Sequence, residues 1–471
     1  LDQNEQQKLK QMMREKAEFR KVQREKDAAV EELNDYKHKG NRRQTAPVKV
    51  VKRVSNKLQS ALFGREFQKL RKNNRQLKSN YNKAERKRNL TEEDLAKAQK
   101  KITEQQATIT MLEGKLKQAD PDQWIKLVST AYANGDVIDC LEEIIQLKQK
   151  NNHDFNEALY HSMKEAAKEE NEIKWFVYTK ILSGLNVNEV PEFLLRGMED
   201  QQTVSLAPVS SFRSCLTTRL RRRQLGEDLP EWQLDDKSTG YRFAKEHSFT
   251  VPQVNEQVFT LDSVPKQAGI VIKPHNGAGA RGVYLLVNEN RILDVKRSEV
   301  LSGWGELTAN MREDLKLNWV HQDEWRTEQL YFIDDEQTEP ARDLKFYSFY
   351  GKVALILEVK RFPEPTYCWW SPDGSRVHTG KYENKLMAGE GFSNEDLLKV
   401  EALSKKIPAP FCRIDFLKTS QGLVFGEVTP KPGNYDHFDD NTDQILGEYF
   451  LEAEGRLQRD LLQGKKFLEF R

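Results

Sequence analysis

Two carboxylates near the C-terminal end stand on strand-like segments. The first lies in Phe411-Cys-Arg413-Ile-Asp415-Phe. The second follows the turn Ser420-Gln421-Gly422, in Gly426-Glu427-Val-Thr429-Pro430. A hairpin built from these segments can aim both acids into one pocket. Oxygen-only ligands of this kind suit Mg²⁺, and magnesium held by two carboxylates usually has nucleotide phosphates beside it. Solvated acids at strand ends are the simpler alternative, so the weight falls on what lies upstream. There, Gly269-Ile-Val-Ile-Lys273-Pro274 reads as a buried strand ending in a lysine, and His275-Asn-Gly277-Ala-Gly279-Ala-Arg281-Gly282-Val283 follows at once. The glycines let backbone N–H groups approach phosphate closely. No Gly-Lys-Ser/Thr follows, which excludes a P-loop. The loop leads into a second strand, Val283–Val287, where a dinucleotide fingerprint would open a helix.

These motifs have to be held by a C-terminal α+β domain. Lys273 on a strand, the Gly277–Gly282 loop, Asp343-Leu-Lys345 before a strand, Arg361, Arg413-Ile-Asp415 and Glu427-Val-Thr429 occur in the order seen in ATP-grasp enzymes. The chain resembles that superfamily over roughly residues 207–470. Through Asp343–Lys352 and Phe425–Thr429 it is most similar to the TupA-like branch, associated with teichuronopeptide and surface-polysaccharide synthesis. The resemblance implies ATP- and Mg²⁺-dependent joining of a carboxylate to an amine through an acyl phosphate, with release of ADP.

It also implies roles. Lys273, with Lys237 as the earlier nucleotide lysine, would neutralise phosphates, and Gly277, Gly279, Arg281 and Gly282 would close over them. Glu328 and Leu330 would form the adenine hinge, and Asp343 would belong to the nucleotide site. Asp415, Glu427 and Thr429 would hold magnesium. Arg361, Arg413 and Lys345 would act on the transferred phosphoryl group. Thr429 stands where these ligases usually carry asparagine, and Lys345 where they often carry arginine. Each role has a plainer competitor: a charged helix start for Lys237, a structural ion pair for either arginine, and a turn for Asp334 and Asp335. A phosphotransferase acting on a hydroxyl, or a noncatalytic scaffold, are the competing functions. Residues 296–325 and 362–392 are the expected acceptor loops, with Trp369 and Trp370 placed either to stack on a sugar or to pack beneath the glycine loop.

The 471 residues are 37% hydrophobic and 31% charged, which suits a folded core with long charged helices. Cys140, Cys215, Cys368 and Cys412 form no Cys-x-x-Cys pair, so neither a zinc site nor a redox motif is supported. Scattered single cysteines fit a reducing cytoplasm. No apolar run reaches the ~20 residues of a membrane span, and no signal-peptide pattern is visible. The chain opens Leu-Asp-Gln, as a processed chain or a fragment would.

Charge is segregated. Residues 41–90 hold 16 Lys/Arg and 2 Asp/Glu, a balance of +14 within a chain of +2. Val48–Phe63 interleaves apolar and basic residues, the pattern of a basic helix lying on an anionic membrane face; a solvated basic face is the alternative, and nucleic acid is disfavoured because no nucleic-acid module accompanies the charge. Leu95, Ile102, Ile109 and Leu116 step by seven, as do Leu70, Leu77 and Ala84, which predicts a coiled coil and self-association. The expected architecture is therefore multidomain, with an α-helical and coiled-coil N-terminal half and a C-terminal α+β ATP-grasp domain. Its parts are a charged helix at 1–40, a basic amphipathic segment at 41–66, a coiled coil at 67–118, a helical domain at 121–200 and the ATP-grasp domain at 207–471. Breaks are expected at Asn134-Gly135, Asn151-Asn152 and Ser183-Gly184. The expected location is cytoplasmic and peripheral to the inner face of the membrane.

Overall fold

The computed structural model describes residues 121–135, 137–199, 205–253, 257–276 and 280–470, with isolated helical positions between 72 and 100. Apart from those isolated positions, the charged helix, the basic segment and the coiled coil expected at 1–118 lie outside the described residues. Two compact units divide between Val177 and Tyr178.

In the first unit, α1 (Pro121–Asn134) and α2 (Val137–Ala166) pack on each other as a hairpin. Gly135 turns the chain with φ of +83°, a conformation open to glycine. The break expected at Asn151-Asn152 is absent, and α2 runs through both residues. Exposed asparagines cost a helix only about 0.7 kcal/mol each, and the Lys150–Asp154 pair at 2.9 Å bridges that turn. Helix α3 (Asn171–Leu182) ends before Ser183-Gly184, as expected.

The second unit holds α4 (Glu192–Glu199), α5 (Phe212–Gln224), α6 (Pro230–Gln233) and α7 (Lys237–Glu246), followed by two five-stranded antiparallel sheets. The first sheet contains β1 (Ile270–Pro274), β2 (Tyr284–Asn288), β3 (Arg291–Asp294), β4 (Glu299–Leu301) and β5 (Trp325–Gln329), in the order β4-β3-β2-β1-β5. One face packs Ile270, Ile272, Tyr284 and Leu286 under Leu307 and Met311 of α8 (Trp304–Lys316). The other face presents Leu285, Leu293 and Val295, with Val271 and Val283 beside them.

The second sheet contains β6 (Arg342–Ser348), β7 (Val353–Lys360), β8 (Thr366–Trp370), β9 (Cys412–Thr419) and β10 (Gly422–Thr429), in the order β10-β9-β6-β7-β8. Leu344, Phe346, Ile414, Phe416 and Phe425 form its core face, covered by Phe243 and Ala244 of α7 and by Leu397, Val400 and Leu403 of α9 (Asn394–Ser404). On the opposite face Tyr347, Leu357 and Trp369 pack with Phe212 of α5 and Phe450 of α10 (Asp440–Leu462). Residues 299–301, 304–316, 325 and 366–370 of the expected acceptor loops are thus helix and strand. Trp369 is buried in this core, where its indole N–H donates to the Lys381 carbonyl at 3.0 Å. Trp370 donates to Glu358 at 3.0 Å. Burial removes Trp369 as a sugar platform; Gly277–Gly279, beneath which either was expected to pack, lie outside the described residues.

Candidate active site

Alternation along β6 and β9 puts Asp343, Lys345 and Tyr347, and Arg413, Asp415 and Leu417, on the face opposite Leu344, Phe346, Ile414 and Phe416. The pairing register aligns Lys345 with Asp415 and Tyr347 with Arg413. Strand β10 needs one further device. From the two-residue turn at Ser420-Gln421, Val424 pairs with Leu417 and Phe425 with Phe416. Continued without change, that register would set Glu427 beside Ile414, on the core face. The register instead shifts between Phe425 and Glu427, which brings Glu427 opposite Asp415 and Thr429 opposite Arg413. Gly426 is the extra residue. A Cβ there would lie 3.0 Å from the Asp415 carbonyl oxygen, which explains a glycine at the bulge.

The polar row is tied together by short ion pairs. Asp415, 4% exposed, accepts from Arg413 Nε and Nη2, each at 2.6 Å, and from Lys345 Nζ at 2.5 Å. Burial works against its charge, but Lys345 and Arg413 overcome that and hold its carboxyl below the ordinary carboxylate value. Arg361 grips Asp343 with two bonds, of 2.6 and 2.7 Å, and Lys345 lies 3.5 Å from the same carboxylate. Burial opposes the Asp343 charge too, yet Arg361 and Lys345 hold that carboxyl at about 2. Glu427 is less constrained: its side chain is 43% exposed and lies 3.9 Å from Arg413 Nη2.

This row forms one wall of a cleft of about 330 Å³ between the two sheets. Lys273 of β1 enters it from the first sheet and pairs with Glu328 of β5. Burial pushes the Lys273 ammonium down; Glu328 opposes that, and Lys237 adds to it. Lys237 lines the same cleft from the first position of α7, whose N-cap Asp236 accepts from the Thr239 N–H at 2.9 Å. The charged helix start and the site lysine are therefore one residue. Val271, Leu285, Leu330 and Phe362 give the cleft an apolar side, next to a cluster of cations and acids. Such a combination takes an amphiphilic ligand with an anionic end.

The family described as TupA-like ATPgrasp matches residues 215–451, just over half of the chain. The chain belongs to the TupA-like ATP-grasp family. Several solved ATP-grasp structures are similar to it. An ATP-grasp ligase, PsnB, complexed with its minimal precursor is 11% identical and has a TM-score of 0.28, the match covering 57% of this chain and 74% of that one. D-alanine–D-alanine ligase from Bacillus anthracis is 12% identical with a TM-score of 0.28, covering 48% and 69%. L-amino acid ligase from Bacillus licheniformis is 16% identical with a TM-score of 0.24, covering 43% and 41%. No curated protein matches the chain.

Within the ATP-grasp domain the cleft brings together Lys237, Lys273, Glu328, Leu330, Asp343, Lys345, Arg361, Asp415 and Glu427. Arg413 joins them through Asp415, and Thr429 through a 3.0 Å bond from Arg413. Gly277 and Gly279 lie outside the described residues. Arg281 is exposed. Gly282 serves packing: at φ of +69° its missing Cβ would sit 2.8 Å from both Pro274 and Val320. The Leu330 N–H is spent on the Gly269 carbonyl at 2.8 Å, and the Glu328 carboxylate on Lys273. Neither group is therefore free as a hinge contact. Asp334 closes a turn by accepting from the Thr338 and Glu339 N–H groups, each at 2.7 Å. Arg219, part-buried at the entry to the domain, pairs with Glu231 at 2.6 Å.

Two polar clusters went unanticipated. Buried Glu358 accepts from Arg342 and Trp370, each at 3.0 Å, and from the Gly391 N–H at 2.9 Å. An acid inside the apolar run Val353–Lys360 was the available signal. Lys381, 2% exposed, donates to the Gly433 carbonyl at 2.7 Å under Tyr382 and Phe438. Burial and nearby Arg413 push its ammonium down to about 8, against the pull of Asp436.

The donor set fits magnesium. Among the described residues no three His, Cys, Asp or Glu side chains form a metal cage. Asp415 and Glu427 supply a cross-strand pair of hard oxygens, which is how Mg²⁺ is held when phosphates complete its shell. Among the described residues no helix is long and apolar enough to cross a membrane.

Proposed function

We propose that this chain is an ATP- and Mg²⁺-dependent ligase that joins a carboxylate to an amine. The observation that carries the reading is the single cleft in which Lys237 and Lys273 face the row Glu427–Asp415–Lys345, with Arg361 held on Asp343. The apolar side at Val271, Leu285 and Leu330 accepts the nucleobase, and the two lysines receive the phosphates. Asp415 and Glu427 hold the magnesium, whose chemistry is to neutralise charge on the phosphates. Arg413 and Lys345 lie beside those acids, where their cations steady the phosphoryl group in transfer. The substrate carboxylate takes that group as an acyl phosphate with release of ADP, and the amine then displaces phosphate to give the amide. Walls built from two sheets exclude water from the acyl phosphate.

The acceptor is an amino acid or sugar acid, and the setting is bacterial surface-polymer synthesis. The basic arm and coil gather copies at the inner membrane face. The test is calorimetric titration of a nonhydrolysable ATP analogue into the full chain, with and without Mg²⁺. Magnesium-dependent binding that Lys273→Ala and Glu427→Gln both weaken is expected. A folded chain that binds no analogue overturns the reading and favours a scaffold. Product analysis then separates an amide from a phosphorylated hydroxyl.

A further inference from the structure

Asp415 spends both of its oxygens on cations. Oδ1 accepts from Arg413 Nε at 2.6 Å, and Oδ2 accepts from Arg413 Nη2 at 2.6 Å and from Lys345 Nζ at 2.5 Å. Two full positive charges meet one carboxylate that is 4% exposed. Its cross-strand partner Glu427 stays 43% exposed and makes one long contact, at 3.9 Å. A lone divalent cation brought to this pair meets two resident cations at close range in a poorly solvated place, where charge repulsion is strong. A nucleotide changes that balance, because its phosphate oxygens offer Lys345 and Arg413 a new anionic partner. Lys345 already reaches toward a second anion, Asp343, at 3.5 Å. Since Arg361 occupies Asp343 with two bonds, that carboxylate does not compete strongly for Lys345.

We propose that Lys345 and Arg413 form a counter-ion lock on Asp415, which closes the acid to a free divalent cation and yields it only as phosphates enter the cleft. Lys345 is then a positioning residue for the metal ligand, and metal and nucleotide bind as a coupled pair. The coupling deepens the ligase reading and rests on it for the nucleotide. The lock itself is a property of this chain's side chains and is tested with metal alone.

The probe is Mn²⁺, with free metal followed by electron paramagnetic resonance in the presence of the full-length chain. For the unsubstituted protein, the nonhydrolysable ATP analogue should tighten Mn²⁺ binding by about 5–150-fold, the usual range of coupling between sites. Lys345→Met removes one cation while keeping a side chain of similar length. It should raise Mn²⁺ affinity without nucleotide by about tenfold, the order expected when one nearby like charge is removed from a partly screened site, and it should shrink the coupling. Adding Asp415→Asn to that variant should abolish the gain. Unchanged nucleotide-free affinity in Lys345→Met overturns the lock, as does a gain that survives Asp415→Asn. Failure of the analogue to bind defeats the nucleotide reading alone, because the metal-only comparison still decides the lock. If Lys345→Met does not fold by circular dichroism, Lys345→Gln takes its place under the same criteria.

Discussion

Replacing Arg361 with methionine tests whether the polar row stabilises the domain as well as serving chemistry. Asp343 is held at about 2, against an ordinary value of 3.8, by Arg361 above all and by Lys345, despite its burial. At ~1.36 kcal/mol per tenfold change in proton affinity, that depression corresponds to about 2.4 kcal/mol. Arg361 is half-exposed, at 50%, and solvent screens the pair, so about 1–2 kcal/mol is the expected loss at pH 7. The sign follows from linkage. A carboxylate whose folded value lies below its unfolded value stabilises the fold above the unfolded value, and that stabilisation disappears as pH falls through the folded one. The unsubstituted protein and the variant should therefore differ fully at pH 7 and converge between about pH 4 and pH 2. Urea unfolding followed by tryptophan fluorescence at stepped pH reads this directly, as a midpoint lowered by about 0.5–1 M at neutral pH. Equal midpoints at pH 7, or a gap that persists undiminished at pH 2, would refute the reasoning.

Lys381 makes an opposite prediction. Its folded value of about 8 lies below the ordinary 10.5, so its buried charge costs stability below pH 8, and that cost is lifted as pH rises to 10.5. Relative to Lys381→Met, the unsubstituted protein should gain up to about 3 kcal/mol over that window; parallel urea curves for the two proteins would contradict this. For the basic arm, reversing the charges of Lys49, Lys52, Arg53 and Lys57 should abolish salt-sensitive binding to anionic vesicles, and binding retained by the reversed arm would remove the membrane reading.

The parts of the site readable in the sequence were those governed by local pattern. Ile270–Pro274 and Tyr284–Asn288 form the two antiparallel strands that the loop after Lys273 was expected to join. Lys345 and Asp415 meet because each alternates with apolar neighbours, Leu344 and Phe346 in one strand and Ile414 and Phe416 in the other. What could not be read was long-range or irregular. Glu328 sits 55 residues from Lys273 and reaches it only because β5 flanks β1. Glu427 lies on the polar face through a register shift that alternation alone would not forecast. Asn151-Asn152 read as a break because asparagine favours turns, yet its cost within an exposed helix is small and one ion pair spans the site. The segment of Trp369 and Trp370 was taken for a loop that could stack on a sugar or pack beneath the glycine loop; strand β8 turns the first into the core and the second onto Glu358.

The bulge at Gly426 gives the site a sensitivity that residue identities do not express. Losing the bulge at constant length, as a side chain at position 426 that the Asp415 carbonyl cannot accommodate would force, would leave every acid, lysine and arginine of the cleft in the sequence while sending Glu427 to the far side of the sheet. Whether a relative keeps the site is therefore a question of register: a chain of this length needs the glycine bulge as well as the acids, and one shorter by the bulge residue needs no bulge at all.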